Sequence, residues 1–279
     1  MSDYLFVVGD PGIPRFLSWG CGLQSTVIGE MSARGELPRC TVLTADLGWE
    51  RQRTVEIREW YAARWQEMEL DVHVLKTGDI QVQGAEEHVH IPFWTNFGGM
   101  LRRQCTREFK IRPIRRKIRE LLGYDPSRPP APPPGSAITW LGITIDEWMR
   151  AKESRVLYVE NRFPLLALKM DRADCGAWLA DRGLPVPIKS ACVCCPYRRA
   201  SEWLEMREQA ADEFEGACEF DEKNRENTLA RNAEADELYV WQGYEPLRTA
   251  DLEAVAKREK RIYGTQLPMF GCESGYCGV

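Results

Sequence analysis

The chain has 279 residues, 10 cysteines, 3 histidines and a formal net charge of −5 at pH 7. This length accommodates one large α/β domain with appendages, or one domain and a small second one. The acidic total excludes a protein that binds nucleic acid over its whole surface. No apolar run is long enough to span a membrane, and residues 1–4 lack the basic start of a signal peptide. We therefore expect a cytoplasmic protein with no membrane partner.

The ten cysteines indicate metal or redox chemistry, because a cytoplasmic protein does not normally build a disulfide framework. With so few histidines, a mixed Cys/His zinc site has few candidate ligands. Ligation by thiolates alone, to zinc or to an iron–sulfur cluster, fits the composition better.

The first predicted strand begins at Arg15 and ends in a glycine-containing turn before a helix. Residues 18–26 read Ser-Trp-Gly-Cys-Gly-Leu-Gln-Ser-Thr, and the apolar spacing that follows predicts a helix ending near Gly35. Backbone N–H groups and the positive end of the helix dipole favour an anion in such a turn, and hydroxyl groups add donors. An ordinary strand-to-helix turn is the alternative.

Residues 18–26 resemble the pyrophosphate-binding loop of the adenine nucleotide α-hydrolase-like superfamily. This group includes the PP-loop ATP pyrophosphatases, the tRNA thiolases and the phosphoadenylylsulfate (PAPS) reductases. The resemblance implies an open, mainly parallel α/β sheet with helices on both faces, and binding of ATP with Mg²⁺. The loop residues that it implies for the nucleotide are Ser18, Gly20, Gly22, Gln24, Ser25 and Thr26.

A second buried parallel strand is predicted over residues 40–45, followed by Asp46 and a helix over about 51–68. Ligands of open α/β sheets lie beyond the C-terminal ends of the strands, so Asp46 is a candidate for the nucleotide pocket. A turn or helix cap is the alternative role. The stretch also resembles the Asp-Thr-Gly segment that lines this pocket in PAPS reductase-like proteins. Residues 71–76 alternate in polarity and predict a third strand.

Nine basic residues fall between Arg102 and Arg119 of this acidic chain, and they surround Cys105. Positive charge favours a thiolate and attracts phosphates. The pattern from Cys105 to Pro113 resembles the Cys-x-x-x-x-Lys-x-x-Pro segment of adenylylsulfate reductases. The resemblance implies Cys105 as a cluster ligand and Arg102, Arg103 and Lys110 as acceptor-binding residues, with Arg103 and Lys110 also catalytic. A solvated helix face is the alternative.

The proline-rich residues 124–136 predict a stiff insertion within one domain, because a strand over 137–143 follows directly. Beyond that strand, four residues match the Gly-x-Arg-x-Asp-Glu-Ser-x-x-Arg segment near the superfamily's nucleotide: Gly142, Asp146, Glu147 and Arg150. The resemblance implies Gly142 and Asp146 as nucleotide-binding residues. Helix capping by the acidic pair is the alternative.

An extended segment is predicted at 163–166, and a helix from Asp171 with Asp174 as its capping-box partner. Cys175 within this helix is predicted to be a buried structural thiol.

Cys192 and Cys195 form a Cys-x-x-Cys pair, a spacing that lets two thiolates reach one metal centre. From the pair alone, a redox dithiol and half a zinc site remain open, and Cys194 remains a further possible ligand. Three cysteines hold a sulfur-donating cluster in the tRNA thiolases that the chain resembles. With Cys105, the pair therefore predicts a [4Fe–4S] cluster on three protein ligands.

Residues 200–262 predict charged helices that form a lid or an oligomer contact, and we expect a homodimer. The tail carries Cys272, a candidate fourth cluster ligand, and Cys277-Gly278-Val279. That terminus resembles the Glu-Cys-Gly-Leu-His end of PAPS reductases, which implies Cys277 as a nucleophile. A disordered tail is the alternative.

These patterns predict a nucleotide-binding α/β domain over 1–199 and a helical region with a cysteine-bearing tail over 200–279. The first functional hypothesis is an ATP-dependent sulfur-transfer enzyme with a [4Fe–4S] cluster. The second is a reductase of an adenylylated sulfate, with Cys277 as the nucleophile. The third is a zinc-stapled nucleotide-binding module without activity. The sulfur acceptor is left open between a nucleic acid on the basic segment 102–119 and a small molecule.

Overall fold

The structure is a computed structural model that describes residues 12–82, 91–226 and 237–263. Its strands are β1 (Arg15–Ser18), β2 (Thr41–Asp46), β3 (Val72–Lys76), β4 (Trp94–Thr95), β5 (Ala137–Trp140), β6 (Val159–Arg162) and β7 (Leu238–Tyr239). Its α-helices are α1 (Leu23–Ala33), α2 (Gln52–Glu67), α3 (Arg112–Leu121), α4 (Pro164–Ala167), α5 (Arg172–Ala180), α6 (Ala200–Gln209), α7 (Ala211–Asn224) and α8 (Leu252–Tyr263). A π-helical turn (Arg107–Ile111) precedes α3, and a 3-10 helix (Ile145–Arg150) follows β5.

Five strands form a single parallel sheet in the order β3-β2-β1-β5-β6. From β1 the chain moves outward to β2 and β3, and it then returns to the other side of β1 to add β5 and β6. The direction of strand addition therefore reverses between β1 and β5. In open parallel sheets this reversal leaves a crevice at the carboxyl ends of the two strands, where ligands bind. The predicted open parallel α/β sheet is confirmed.

Both faces of the sheet are covered by helices, because successive strand residues point to opposite sides. Leu17, Val42 and Ile138 belong to a hydrophobic cluster with residues of α1, α2 and α5. Phe16 and Leu43 belong to a second cluster, which α3 completes with two buried isoleucines. Strands β1, β2 and β5 are consequently rich in apolar residues, as buried parallel strands are.

Helix α1 is buried almost throughout and packs closely on α2. A Cβ atom on Gly29 would lie 2.4 Å from the Trp65 ring, so only glycine permits this approach. Glu30, whose side chain is fully buried, accepts a hydrogen bond from Trp65 Nε1 at 2.9 Å and pairs with Arg64 at 2.7 Å. The charge of this carboxylate is thereby balanced inside the core.

The described residues after 199 are mainly helical, as predicted, and they pack on the rest of the chain. Trp203 and Phe214 belong to one hydrophobic cluster with Leu47 and Phe93. Strand β4 also pairs with β7 in an antiparallel two-stranded sheet. One hydrophobic cluster thus extends across the predicted boundary at 199/200. In the ranges that the structure describes, no helix has the length and apolar character needed to cross a membrane.

The prediction of an extended segment at 163–166 is wrong. The strand lies earlier, at β6, and Pro164 begins the helical turn α4. Proline suits the first position of a helix because its missing N–H needs no partner there. The capping box of α5 is confirmed, with Asp174 N donating to Asp171 Oδ1 at 2.7 Å and Asp171 N to Asp174 Oδ2 at 2.9 Å.

Candidate functional site

The turn after β1 leaves the N-terminus of α1 open to an anion. Gly22 is the N-cap residue, no side chain caps the helix, and its first turn contains no acidic residue. Cys21 adopts a left-handed backbone conformation with φ of 56°, which is uncommon outside glycine. The first-turn N–H groups and the helix dipole therefore offer positive potential without a competing side chain.

The hydroxyl groups of this turn are used within the protein. Thr26 is fully buried, and its Oγ1 accepts a hydrogen bond from Trp19 Nε1 at 3.0 Å. Ser25 Oγ donates to the Gly22 carbonyl oxygen at 3.2 Å, and Ser18 is buried at the end of β1. The hydrogen bonds of Thr26 and Ser25 thus stabilise the turn. The groups of the turn that are available to a ligand are those of its backbone.

The loops that follow β1 and β5 meet at the reversal point of the sheet. A Cβ atom on Gly142 would lie 2.6 Å from Ser25 N, so glycine is required where the second loop crosses the start of α1. Gln24 Nε2 donates to Glu147 Oε2 at 3.4 Å, and Glu147 pairs with Arg150 at 2.5 Å. Asp146 is exposed, so the carboxylate that reaches the first loop is that of Glu147.

Asp46 belongs to a buried charge network that sequence reasoning missed. Its carboxylate accepts a hydrogen bond from Gly48 N at 3.1 Å and pairs with Arg58 at 3.1 Å. Arg58 also pairs with Glu50 at 2.5 Å, and both of these side chains are buried. The signal for Arg58 was its position on the apolar face of the predicted helix, in phase with Tyr61 and other buried residues.

A cavity of about 230 Å³, including its open mouth, lies beside the first loop, between its glycine backbone and two charged side chains. Its lining residues are Trp19, Gly20, Ala45, Glu50, Lys110 and Ile114. Burial raises the pKa of the nearby Cys21 thiol to about 12, and the charge of Glu50 acts in the same direction. Cys21 is therefore a neutral thiol at neutral pH, and it does not supply a nucleophile here.

A second cavity, of about 450 Å³ including its open mouth, brings together the three predicted cluster cysteines. Cys105, Cys192 and Cys195 all line it, together with Arg103 and Lys110. Lys110 lines the cavity beside Gly20 as well. Lys110 therefore lies between the candidate anion site and the thiols, which are distant from each other in sequence.

The cysteine-bearing turn is held by backbone contacts with other parts of the fold. Glu50 and Cys192 form an isolated antiparallel bridge, and Val193 N donates to the Trp49 carbonyl at 3.1 Å. Cys195 N donates to the Cys192 carbonyl at 3.2 Å. The segment after β2 thus positions both the acidic wall of the first cavity and the thiols of the second.

Cys194 differs from its neighbours. It is 1% exposed, whereas the other three thiols of the cavity are partly exposed. Burial raises the pKa of the Cys194 thiol well above its ordinary value, and the charges of Cys192 and Cys105 act in the same direction. Cys194 is therefore expected to stay protonated, which sets it apart from the three proposed ligands.

The described lining of the cysteine cavity contains no histidine and no carboxylate, so sulfur is its ligand type. In the described ranges, no three Cys, His, Asp or Glu side chains form a ready-made site for a single metal ion. Cys272 and Cys277 lie outside the described residues. The assignment of ligands and of a nucleophile stays a prediction.

Most of the basic residues between Arg102 and Arg119 act locally. Arg107 and Arg112 pair with Glu108, at 3.5 and 2.6 Å. Arg119 donates to backbone carbonyls of the proline-rich insertion, so it holds that loop against α3. Arg103 and Lys110 are the members of this segment that line the cysteine cavity.

No family model matches the chain, and no curated protein matches it in sequence. Two solved structures are similar to it in fold. One is the PAPS reductase from Candida auris in complex with phosphate, at 12% identity and a TM-score of 0.39, covering 64% of this chain and 76% of that one. The other is the U34-tRNA thiolase NcsA from Methanococcus maripaludis with its [4Fe-4S] cluster, at 13% identity and a TM-score of 0.42, covering 80% and 76%. Both are of the kinds that the sequence motifs resemble, and the similarity is one of fold alone.

Proposed function

We propose that the protein is an ATP-dependent, thiolation-type sulfur-transfer enzyme that adenylates its acceptor and uses a [4Fe–4S] cluster. One observation carries the proposal: Cys105, Cys192 and Cys195 line a single cavity with Lys110, and Lys110 also lines the cavity beside Gly20. The proposed nucleotide site and the proposed sulfur site are thereby adjacent, and both are lined by Lys110. Adenylation followed by sulfur transfer needs this adjacency.

The cysteine cavity fits an iron–sulfur cluster in its donor chemistry. Thiolates are the ligands that iron–sulfur clusters use, and the described lining contains neither a histidine nor a carboxylate. Cys105, Cys192 and Cys195 would hold three iron atoms of the cluster. Cys272 is a candidate fourth ligand, and sulfur transfer from the cluster requires that it leave the fourth iron open. The thiolates of a cluster bind different iron atoms, so they need not converge on one point as the ligands of a single ion do. When bound, a cluster with an open iron position would supply the sulfur for transfer.

The protein groups around Gly20 suit a pyrophosphate. The uncapped start of α1 supplies N–H donors, and Lys110, a positively charged residue, lines the same cavity. We propose that ATP with Mg²⁺ binds there, with Asp46 and Gly142 at the edges of the site. Attack of an acceptor oxygen on the α-phosphorus breaks the bond to pyrophosphate, which leaves. Sulfide, which enters without a change of oxidation state, then bonds to the adenylated atom and displaces AMP, which carries the oxygen away.

As partners we propose an adenine nucleotide, a sulfur acceptor and a second copy of the chain in a homodimer. Arg102 and Arg103 would approach the acceptor, either a nucleic acid or a small molecule. Its phosphate or carbonyl oxygens suit guanidinium donors. The reductase alternative differs in that Cys277 attacks the sulfur of an adenylylated sulfate and no pyrophosphate is released.

Metal and sulfide analysis with a visible spectrum, on protein purified without oxygen, tests the proposal first. We expect about four iron and four sulfide per chain. The Cys105→Ala variant should lose this iron and sulfide. The Cys175→Ala variant, which removes a buried thiol of α5, should retain both. Wild-type protein that contains zinc and no iron would overturn the proposal in favour of the non-catalytic module.

Pyrophosphate release then separates the two enzymatic alternatives. Acceptor-dependent release of pyrophosphate from ATP supports sulfur transfer. Reduction of an adenylylated sulfate without pyrophosphate release would overturn it in favour of the reductase, and Cys277→Ser should then abolish the activity.

A further inference from the structure

Arg198 places a buried positive charge behind the cysteine cavity. The residue is 4% exposed, and its guanidinium group lies 5.4 Å from the centre of the Trp203 ring. Nη2 donates to the Cys192 carbonyl at 2.7 Å and to the Ala191 carbonyl at 3.4 Å. The same side chain therefore contacts the backbone of the turn that carries two proposed cluster ligands.

This guanidinium has no carboxylate partner in an ion pair among the described residues, and its Nε atom makes no hydrogen bond there. Glu202, the nearest acidic neighbour, is paired with Lys189 at 2.9 Å. Arg51 offers a contrast, because it is also buried but pairs with Glu205 and Glu213. A buried charge without a counter-charge is costly, so such a group indicates that a negative partner belongs beside it.

The thiols of the cavity are in place to supply that negative charge. Burial lowers the pKa of Arg198, and the charges of Cys195 and Glu202 oppose this effect, as does that of Cys192. A cluster held by thiolates carries net negative charge, whereas free thiols carry none. The charge of Arg198 is balanced when the cavity is loaded.

We infer that Arg198 is a positioning residue for the metal centre, which balances the charge of the loaded cysteines and fixes the 191–195 turn through the Cys192 carbonyl. The inference rests on the proposed function, because it requires a thiolate-ligated cluster. Charge near an iron–sulfur cluster changes its reduction potential, and a positive charge stabilises the more negative, reduced state. Removal of this charge should shift the potential to more negative values, an effect that a merely structural residue would not produce.

The test uses the full chain, purified without oxygen, with redox titration of the cluster and the rate of iron loss to a chelator as readouts. Arg198→Met should bind iron, with a more negative potential and faster iron loss than the wild type. Arg198→Lys keeps the charge but not the guanidinium fork, so it should retain the potential and lose iron faster. Arg207→Met is the matched control, because Arg207 lies on α6 and pairs with the exposed Glu253. It should match the wild type.

Iron-loaded Arg198→Met with the wild-type potential and rate of iron loss would overturn the inference and leave the proposed function standing. Wild-type protein without iron would overturn both. If the Arg198→Met variant does not fold, the Arg198→Lys variant alone tests the inference. A retained potential with faster iron loss supports the inference, and a wild-type rate of iron loss or a shifted potential contradicts it.

Discussion

The contact between Gly142 and the start of α1 allows a sharp test of the nucleotide site. Gly142→Ala would add a Cβ atom 2.6 Å from Ser25 N and 3.0 Å from Ser25 Cα, where ordinary van der Waals contact begins at 3.4 Å. Both neighbours are backbone atoms, so no side chain can rotate away. The two loops must separate by several tenths of an ångström, and the first-turn N–H groups of α1 must move with them.

We expect this overpacking to cost about 1–3 kcal/mol of the free energy of unfolding. We also expect about tenfold weaker ATP binding, which corresponds to about 1.4 kcal/mol. Urea denaturation measures the first effect and isothermal titration calorimetry with ATP and Mg²⁺ measures the second. Gly176→Ala is the control: its Cβ would meet no atom within 4 Å, and it lies inside α5. That variant should gain about 0.5–1 kcal/mol because alanine favours a helix interior.

Two results would refute this reasoning in different ways. A Gly142→Ala variant with wild-type stability would show that the two loops do not press on each other as described. A destabilised variant with unchanged ATP affinity would show that the nucleotide does not bind at the start of α1.

Three further predictions follow from buried groups. Gly29→Ala should destabilise the fold by about 1–3 kcal/mol in urea denaturation, because its Cβ would lie 2.4 Å from the fully buried Trp65 ring. Glu202→Gln should cost about 1–3 kcal/mol at pH 7, because it removes the carboxylate charge that pairs with Lys189 at 2.9 Å. Burial opposes ionisation of Glu202, but Lys189, the Arg199 backbone N–H and Arg198 together outweigh it and lower the pKa, so this cost should shrink as the pH falls below 4.5. Iodoacetamide at pH 8 should spare Cys194 in metal-free protein, as peptide mass spectrometry can show, because the thiol is buried and its pKa is raised.

Each of these three predictions is contradicted by a different experimental outcome. A Gly29→Ala variant as stable as the wild type would mean that α1 and α2 can separate freely. A Glu202→Gln cost that persists at pH 3 would mean that the ion pair is not its origin. Alkylation of Cys194 as fast as that of the other three thiols of the cavity would mean that it is accessible and ionised.

Local sequence patterns were sufficient for most of the sheet and for the turns that end its strands. The runs at 15–18, 41–46 and 137–140 are apolar because both faces of the sheet are covered, so their composition alone marks them as buried parallel strands. Composition did not identify strand β6, because its sequence, Val-Glu-Asn-Arg, is mostly polar and it lies at an edge of the sheet. The sequence indicated the glycines at 20, 22 and 142 as candidate nucleotide-binding residues. It did not indicate that Gly142 packs closely against the backbone of Ser25.

The sequence by itself determined the fold class, and it predicted a candidate anion-binding turn and candidate thiol ligands, because each depends on residue types at short spacing. Only the tertiary structure decided that Cys105 and Cys192 share a cavity, that Lys110 links it to the turn, and that Arg58 and Arg198 are buried beside the two sites. Those facts depend on packing between segments far apart in the chain. The spacing of residues along the sequence does not show which charged side chains pair with each other in the fold and which are available to a ligand.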